Sequence, residues 1–463
     1  MLNNSQTALT STIAAIATPM GRGGVGVIRL SGTNSYQIAL ALTGRQAFKP
    51  RFAHFCRFYD NDDTVIDEGL VLYFPAPHSF TGEDVIELQG HGGMILQQQL
   101  LTRVFELGAN QAVAGEFSAR AFDNDKLDLV QAEAIADAID ATSVAAAKSA
   151  MRSLTGEFSQ KINTLLEQLI QLRLYVEAAI DFPDEEGVDF LADEHIAKQL
   201  RQVCEQLHTV LATAKQGQLL RDGVSVVIAG RPNAGKSSLL NRLAGQERAI
   251  VTDIAGTTRD ILQETIVLNG LTLNLTDTAG LRHTDDIVEQ AGIERARQAI
   301  TQADLLLMVY DAHREHEPLR LATELFGSLP NANSILMIAN KIDLSDNHQN
   351  LPKQFSSQEQ IYHPVYVSCK YGTGLEELVN QICDKVGFHP PENSLIARTR
   401  HLDALRRTQM ALQEADEQLH LFHAGELVAE SLRQAQISLN EITGEFTADD
   451  LLGKIFGSFC IGK

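Results

Sequence analysis

The central part of the chain carries short, continuous apolar runs that predict the strands of a buried parallel sheet. Four runs have strand length, and each ends at a cluster of polar residues: Val224 to Ala229, Leu271 to Leu275, Ser334 to Ala339 and Pro364 to Val367. Such runs are typical of strands that helices cover on both faces. The segment after the first run, Ser238 to Leu243, has the pattern of a helix start.

Residues 1 to about 120 have a different pattern, in which short β-rich runs alternate with turns marked by Gly and Pro. Strands are predicted at Val25 to Leu30, Leu70 to Phe74 and Val85 to Leu88, and helices at Ser35 to Leu42 and Met94 to Leu107. This mixture predicts a compact α+β domain.

Two further segments have helical periodicity and flank the central part. The first extends from Leu127 to about Lys215 and includes Ala132 to Ala147, which lacks Gly and Pro. Its apolar stripe consists of Leu165, Leu166, Leu169, Leu172 and Val176. The acidic turn Asp181 to Gly187, which breaks this segment, is more typical of a solvated link than of a metal site. The second segment comprises Arg398 to His423 and Gly425 to Glu441.

The chain is therefore predicted to be a multidomain protein with an N-terminal α+β domain, an α-helical bundle domain and an inserted α/β domain. The second helical segment is too short to form a good core alone, so we expect the two segments to pack together. The predicted boundaries are residues 1–120 for the first domain, 121–217 and 387–463 for the helical domain, and 218–386 for the insertion. A chain of 463 residues is long enough for such an arrangement.

The residues after the first apolar run match the phosphate-binding loop of nucleotide hydrolases. Gly230 to Ser238 fit the pattern G-x-x-x-x-G-K-[ST] and lie between a predicted strand and a predicted helix, as the motif requires. Backbone N–H groups of such a loop point at phosphates, and the helix N-terminus adds positive potential. Lys236 would reach the β- and γ-phosphates, and Ser237 would ligate Mg²⁺. A plain Gly-rich turn is the weaker alternative.

Four more clusters follow the pattern of a Ras-like GTPase. Asp277 to Gly280 match D-x-x-G, whose Asp holds Mg²⁺ through water and whose Gly contacts the γ-phosphate. Asn340 to Asp343 supply a carboxylate that can accept hydrogen bonds from guanine N1–H and N2–H, whereas adenine offers neither donor there. Ser368 to Lys370 stand where a supporting guanine loop belongs, and Gly256 to Arg259 supply a Thr for the Mg²⁺ shell. Residues 220 to about 385 are therefore predicted to form a Ras-like GTPase domain.

The residue after D-x-x-G departs from the Ras pattern, in which a Gln orients the attacking water. Leu281 stands there, and its side chain cannot form a hydrogen bond. Asn233 is a candidate to replace part of this contribution, because its amide oxygen is suited to a monovalent cation that bridges the phosphates. Carbonyl groups of Thr252 to Thr257 are suited to complete the shell of that cation. Glu289 is a candidate to orient water, although a solvated helix position is the commoner role of such a residue.

Composition and charge limit the other classes of protein. The net charge of −21 argues against a surface made for nonspecific nucleic-acid binding. The densest basic cluster comprises Arg398 to His401 with Arg406 and Arg407, and a solvated helix start is its favoured interpretation. The five cysteines contain no C-x-x-C pair, which argues against a zinc site or a disulfide framework. We see neither a membrane span nor a signal peptide, so a cytoplasmic location is expected.

Two motifs near the ends of the chain do not have the function that their patterns suggest. Gly21 to Gly26 match G-x-G-x-x-G, but they precede a predicted strand and do not open a helix, so dinucleotide binding is rejected and a functional loop or a plain turn remains. Cys460 is fourth from the end, but Gly462 is not aliphatic and Lys463 is not an accepted last residue for prenylation.

With its inserted GTPase domain and the terminal sequence Cys460-Ile461-Gly462-Lys463, the chain resembles the tRNA wobble-uridine-modifying GTPases of the MnmE (TrmE) family. The resemblance covers nearly the whole chain. Further matching segments are Gly21 to Gly26, Phe80 to Asp84, Gln89 to Gly93, Gly115 to Phe117, Asp125 to Asp128 and Glu441 to Phe446. It implies an N-terminal folate-binding-type domain, a helical domain and an inserted P-loop GTPase domain.

The resemblance implies a GTPase that is activated by potassium-dependent dimerisation of its G domains. Glu289 aligns with the catalytic glutamate, and Lys236 with the phosphate-loop lysine. The K⁺ positions are Asn233, Thr252, Ile254 and Thr257, and the Mg²⁺ positions are Ser237 and Thr258. The positions expected at GTP are Asn233, Ala234, Gly235, Lys236, Ser237, Ser238, Thr252, Asp253, Ile254, Ala255, Gly256, Thr257, Thr258, Asp277, Thr278, Ala279, Gly280, Asn340, Lys341, Asp343, Ser368, Cys369 and Lys370.

The resemblance also implies 5,10-methylene- or 5-formyl-tetrahydrofolate as a one-carbon donor. Arg29, Glu87, Lys126 and Lys463 fall at the folate positions, where a carboxylate can pair with an aminopyrimidinone edge and cations can hold glutamyl carboxylates. Cys460 would lie near this chemistry as a nucleophile, as an acid–base group, or merely as a buried thiol.

The implied assembly is a homodimer that works with an FAD- and NADH-dependent partner protein of the MnmG (GidA) type in a heterotetramer or larger complex. Together they would add an aminomethyl or carboxymethylaminomethyl group at C5 of the tRNA wobble uridine. The alternative is an assembly GTPase that binds ribosomal RNA, but no basic RNA-binding module is found beside the GTPase domain. An NTPase with loose base choice is disfavoured by Asn340 and Asp343.

Overall fold

The chain divides into two compact units. The first comprises residues 1–136, 154–170 and 433–463, and the second comprises residues 137–153 and 171–432. The computed structural model describes residues 11–19, 21–181, 194–245, 263–277, 299–344, 351–357, 359–389, 394–422, 424–444, 449–457 and 459–462. The acidic turn predicted at 181–187 lies, apart from its first residue, outside the described residues.

A six-stranded sheet forms the centre of the first unit, with the spatial order β3-β4-β5-β2-β1-β6. All neighbouring strands are antiparallel except β1 and β6, which are parallel. The strands are β1 (Ile13–Ile16), β2 (Gly23–Ser31), β3 (His54–Tyr59), β4 (Val65–Phe74), β5 (Val85–Gly92) and β6 (Asn110–Gln111). Because β2 begins at Gly23, the structure supports the rejection of a dinucleotide loop, which would open a helix there.

Helices account for most of the remaining described residues. In chain order they are α1 (Ser35–Thr43), α2 (Met94–Glu106), α3 (Glu116–Asp123), α4 (Leu129–Ile139), α5 (Val144–Leu154), α6 (Glu157–Asp181), α7 (Glu194–Asp222), α8 (Lys236–Ala244), α9 (Pro318–Phe326), α10 (Leu375–Val386), α11 (Thr399–Glu417), α12 (Gly425–Thr443) and α13 (Asp449–Gly457). A short 3₁₀ turn covers Ile342–Leu344, and a π-helical turn covers Gln418–Phe422.

In the first unit, α1 and α2 cover one face of the sheet. Ile28 and Leu30 of β2 are buried there together with Leu42 of α1 and Leu100 and Val104 of α2. Residues at the alternate positions of β2 point to the opposite face, as the two-residue repeat of a strand requires. Arg29 therefore lies on that opposite face.

The second unit contains a six-stranded sheet with the order β14-β11-β10-β7-β9-β8. All pairs are parallel except β8 with β9. The strands are β7 (Val224–Ala229), β8 (Gln263–Leu268), β9 (Leu271–Asp277), β10 (Leu305–Asp311), β11 (Ile335–Asn340) and β14 (Pro364–Tyr366), and a separate hairpin is formed by β12 (Phe355–Ser357) and β13 (Gln360–Tyr362).

Both faces of this sheet are covered, which explains the continuous apolar runs. Along β10, Leu307 and Val309 enter one apolar cluster, whereas Leu306 and Met308 enter another cluster on the opposite face. The four strands predicted from the apolar runs are confirmed, and the fold class predicted from the sequence is confirmed with them. The parallel pairing brings the carboxyl ends of β7, β10 and β11 to one edge, where nucleotide loops are expected.

The structure adds detail to two sequence-based expectations. The helical pattern over 132–147 corresponds to two helices, because α4 ends at Ile139 and α5 begins at Val144. Ser143 caps α5, accepting a hydrogen bond from Ala146 N at 3.1 Å. The basic cluster is not a wholly solvated helix start, because Arg398 has only 14% of its side chain exposed and His401 is buried.

Candidate functional site

The loop between β7 and α8 has the backbone that a phosphate-binding turn needs. Asn233 and Gly235 are both left-handed, with φ of 64° and 101°. A Cβ on Gly230 would lie 2.1 Å from the carbonyl oxygen of Val309, so only glycine allows the chain to leave β7 so close to β10. Left-handed residues before a helix N-terminus turn successive N–H groups toward one side and so form a concave site for anions.

The side chains of this loop are placed at its open side. Lys236 Nζ donates a 2.8 Å hydrogen bond to Gly230 O and lies 3.3 Å from Arg231 O. Ser237 and Ser238, in the first turn of α8, are exposed. The arrangement therefore presents one ammonium group and two hydroxyl groups beside the backbone N–H groups.

Asn340 holds three loops together at the end of β11. Its side chain is buried, and its Nδ2 donates to Ala234 O at 2.9 Å. Its Oδ1 accepts from the backbone N–H groups of Lys341 at 2.8 Å and Cys369 at 3.2 Å. A Cβ on Gly235 would lie 2.1 Å from Asn340 Nδ2, so this glycine is required for the asparagine to reach the phosphate loop.

Asp343 is oriented by the loop that follows β14. Ser368 Oγ donates a 2.6 Å hydrogen bond to Asp343 Oδ1. Ser368 is buried and Asp343 is half-buried. Among the described residues no donor reaches the second oxygen of Asp343, which therefore remains available to a bound base.

An ion pair fixes the start of the same turn. Lys341 is left-handed, with φ of 66°, and its Nζ lies 2.9 Å from Asp311 Oδ2 at the end of β10. Burial alone would raise the pKa of Asp311, but hydrogen bonds from Lys341 and from the His313 backbone, with the charge of Lys341, hold that pKa below its usual value. The lysine stem is thereby held beside the 3₁₀ turn that carries Asp343.

Arg242 is a contributor to the site that the sequence analysis missed. It lies in α8, and its guanidinium donates to Cys369 O at 2.9 Å and to Lys370 O at 2.7 Å. It therefore braces the loop that carries Ser368. The only signal in the sequence is a basic residue in the helix after the phosphate loop, and this does not reveal a target more than a hundred residues away.

The structure does not test the part of the site between the phosphate loop and β10. The residues that lie outside the described part are Thr252, Asp253, Ile254, Ala255, Gly256, Thr257, Thr258, Thr278, Ala279, Gly280 and Glu289. Asp277 is the last residue of β9 and is paired in register with Ile228 of β7. Its backbone therefore reaches the same sheet edge as the phosphate loop.

In the first unit, two of the predicted folate positions are in contact. Arg29 Nη2 and Nε lie 2.9 and 3.2 Å from Glu87 Oε1, across the β2–β5 pair. The guanidinium of Arg29 also lies 5.4 Å from the ring centre of Phe80 and 5.9 Å from that of Phe117. No described donor reaches Oε2 of Glu87, so this carboxylate retains one oxygen for a ligand.

The other predicted folate positions are distributed around the same unit. Lys126 is exposed, and its Cγ lies 3.4 Å from the Cβ position of Gly82. Cys460 is exposed, so the alternative of a buried thiol is wrong. The C-terminal segment lies on the N-terminal domain of the same chain, because Ile461 pairs with Ala114 and a Cβ on Gly462 would lie 2.4 Å from Ile16 O. Lys463 lies outside the described residues.

Comparisons with known proteins agree with the sequence resemblance. A family model described as the MnmE helical domain matches residues 129–460, and one described as the GTP-binding protein TrmE N-terminus matches residues 12–126. Relatives named tRNA modification GTPase MnmE are 73% identical in Psychrobacter arcticus, covering 100% of this chain and 98% of the relative, and 75% identical in Psychrobacter cryohalolentis, covering 98% and 96%. Era of Aquifex aeolicus, solved with GDP and aluminium fluoride, covers 41% of this chain and 66% of its own at 26% identity and a TM-score of 0.28.

The described residues contain neither a candidate membrane span nor a candidate cluster of metal ligands. No helix there combines the length and the apolar character that a membrane span needs. Across the same residues, no group of three or more His, Cys, Asp or Glu side chains is placed to hold a metal ion.

Proposed function

The chain belongs to the MnmE family of tRNA modification GTPases, and from this premise we propose that it hydrolyses GTP to GDP and phosphate in order to modify the tRNA wobble uridine. The observation that carries the nucleotide part is the bridge made by Asn340, which joins the phosphate loop to the loop carrying Ser368. One side chain thereby couples the site for phosphates to the site for the base.

The guanine base would be read by Asp343. Ser368 holds one of its oxygens, and the carboxylate faces the base with acceptors only. Guanine offers two N–H donors to such a group, whereas adenine would leave the half-buried carboxylate unpaired, at a cost of about 1–3 kcal/mol or more. Lys236 and the N–H groups of the phosphate loop would hold the β- and γ-phosphates.

Two metal ions are part of the proposal. Ser237 and Thr258 would hold Mg²⁺, and Asn233, Thr252, Ile254 and Thr257 would hold K⁺. Bound at these positions, the two ions would neutralise charge that develops on the phosphate oxygens. The exposed hydroxyl of Ser237 and the exposed amide of Asn233, both on the phosphate loop, fit these roles. Glu289 would orient the attacking water, since Leu281 cannot.

The one-carbon chemistry would take place at the first unit. Arg29 and Glu87, backed by the rings of Phe80 and Phe117, offer a carboxylate and flat apolar faces that suit the aminopyrimidinone ring of a tetrahydrofolate. Such a folate supplies the one-carbon unit when bound. Lys126 and Lys463 would hold its glutamyl carboxylates, and Cys460 is exposed and therefore accessible to substrate.

The proposed assembly is a cytoplasmic homodimer that joins an FAD- and NADH-dependent partner of the MnmG type and acts on tRNA. The net charge of −21 supports a partner that supplies most of the basic surface for RNA. The proposed domain boundaries are those predicted from the sequence.

Mass spectrometry of wobble nucleosides tests the proposal. Cells lacking the protein are complemented with the wild type, with Lys236→Ala, or with Lys353→Ala, which removes an exposed lysine far from the loop in sequence. We expect the C5 modification to be absent in the deletion and in cells with Lys236→Ala. It should return in cells with the wild type or with Lys353→Ala. Unchanged nucleosides in the deletion, with altered ribosomal subunit profiles, would favour the assembly GTPase instead.

A further inference from the structure

The β8–β9 hairpin connects the two segments of the chain that are expected to sense the γ-phosphate. Residues 252–258 precede β8, and β9 ends at Asp277 of the D-x-x-G motif. The two strands pair continuously from Gln263 with Thr276 to Leu268 with Leu271. Six paired residues at about 3.4 Å each make a stiff arm of about 20 Å, so a displacement at the nucleotide end reaches the far tip.

The tip of this hairpin is hydrogen-bonded to the connection between α4 and α5. Thr142 Oγ1 and Thr272 Oγ1 lie 2.8 Å apart, and Ser143 Oγ donates to Gly270 O at 3.1 Å. Thr272 is 3% exposed, so its hydroxyl is shielded from water. The helical stretch is interrupted at this point, and both residues that bond to the tip, Thr142 and Ser143, lie in the interruption.

The hairpin is also tightly packed against the start of α5 and the end of α7. Gly270 is left-handed, and a Cβ on it would lie 3.2 Å from Ala145 Cβ. Gly223, where α7 passes into β7, has a Cβ position 2.7 Å from Thr272 O. A shift of β9 by one residue would therefore collide with either the connection or the end of α7.

The same connection leads to a charged centre at the base of the inserted domain. Asp137, in the last turn of α4, has 5% of its side chain exposed, and it lies 2.8 Å from both Arg221 Nε and Arg398 Nη2. Arg221 precedes the first strand of the inserted domain and Arg398 precedes α11, which follows the domain. Asp137 thus binds the segment that enters the inserted domain and the segment that leaves it. It is five residues before Thr142 in the chain.

We propose that Thr142 and Thr272 are positioning residues that transmit the state of the nucleotide from the hairpin to the α4–α5 connection. The proposal rests on the proposed function, since it requires GTP at the phosphate loop. In the part of the chain that the structure describes, the hydroxyl groups of Thr142 and Thr272 bond to each other and not to a nucleotide position. Under the proposal, hydrolysis itself does not require the pair. The pair determines whether the helical segments respond to hydrolysis.

Hydrogen exchange of residues 139–146 tests this directly in the full-length protein. In the wild type we expect at least a threefold difference in exchange rate between the GDP complex and the GDP–aluminium fluoride complex in KCl. In the double variant Thr142→Val, Thr272→Val we expect that difference to vanish. Both hydroxyl groups are removed, whereas the valine side chains keep the shape of the threonine side chains. Thr209→Val is the matched control, since its hydroxyl bonds only to Glu205 O within α7.

The outcomes separate the inference from the proposed function. Equal exchange of 139–146 in the two wild-type complexes, or a difference that survives in the double variant, would overturn the inference. Protection of residues 230–238 by GDP reports that the variant is folded. The purified double variant should hydrolyse GTP within about twofold of the wild type. In cells it should lose at least tenfold in wobble modification, whereas the single variant Thr142→Ser, which keeps a hydroxyl group opposite Thr272, should retain the modification. A wild type without any role in modification would defeat the proposed tRNA function and leave the exchange result standing.

Discussion

Replacing Asp343 with Asn tests whether this carboxylate reads the base. Ser368 Oγ donates to Asp343 Oδ1 at 2.6 Å, so the amide of the variant preserves this bond only by turning its oxygen toward Ser368. Its NH₂ group then takes the place of the second carboxylate oxygen. Guanine presents N–H donors at N1 and N2, so donor would face donor, and the charge that strengthens both hydrogen bonds would be lost.

The size of the effect follows from these two bonds. A hydrogen bond to a charged group contributes about 1.5–3 kcal/mol, so losing two costs about 3–6 kcal/mol. At about 1.4 kcal/mol for each factor of ten, the affinity for GDP should fall by roughly 10²–10⁴. Xanthine carries a carbonyl oxygen at C2 where guanine has an amino group, so the variant should gain affinity for xanthosine diphosphate.

Displacement of a fluorescent nucleotide measures both affinities. Ser368→Ala is the matched control, because it keeps the carboxylate and removes the bond that orients it, together with the 3.3 Å bond that Ser368 Oγ accepts from Tyr371 N. It should weaken GDP binding by about tenfold, with no gain for xanthosine diphosphate. The reasoning is refuted if Asp343→Asn binds GDP within threefold of the wild type, or if it excludes xanthosine diphosphate as the wild type does.

Three further changes probe the supports of the site. Gly235→Ala should weaken GDP binding at least tenfold in the same assay, because the new Cβ would displace Asn340. Gly327→Ala is the control and should leave GDP binding unchanged, because Gly327 is also left-handed but has no atom near its Cβ position. Arg242→Met removes two bonds to loop carbonyls and should raise the Kd for GDP about tenfold; an unchanged Kd would contradict the bracing role. Asp311→Asn should lower the free energy of unfolding in urea at pH 7. Because the folded pKa of Asp311 is depressed, this difference should shrink as the pH falls below the ordinary value of 3.8, and a difference that persists there would contradict the ion pair.

The motifs of the GTPase domain could be predicted because each depends on residues adjacent in sequence. The phosphate loop is a local pattern of glycines and a lysine after an apolar strand, and the structure places it between β7 and α8. The helix begins at Lys236, two residues before the predicted start, since Gly235 already takes the left-handed capping position. What the motif does not reveal is that Asn340 depends on that glycine for its position.

The features that could not be predicted depend on residues far apart in the chain. Arg398 belongs to a basic cluster that suggests solvent exposure, yet it is held by Asp137, 261 residues away. The break at residues 140–143 contains neither Gly nor Pro, and it carries Thr142, which bonds to Thr272 of the hairpin 130 residues away. A single sequence shows periodicity along the chain but not the partner that a distant segment supplies.

The rate of GTP hydrolysis in KCl and in NaCl at equal ionic strength tests the central claim most directly. The variant Asn233→Gly belongs in the same experiment, because glycine accepts the left-handed φ of 64° and removes only the amide side chain. We predict that the wild type hydrolyses GTP at least tenfold faster in KCl, and that the variant loses this preference. Equal rates of the wild type in the two salts would contradict the account.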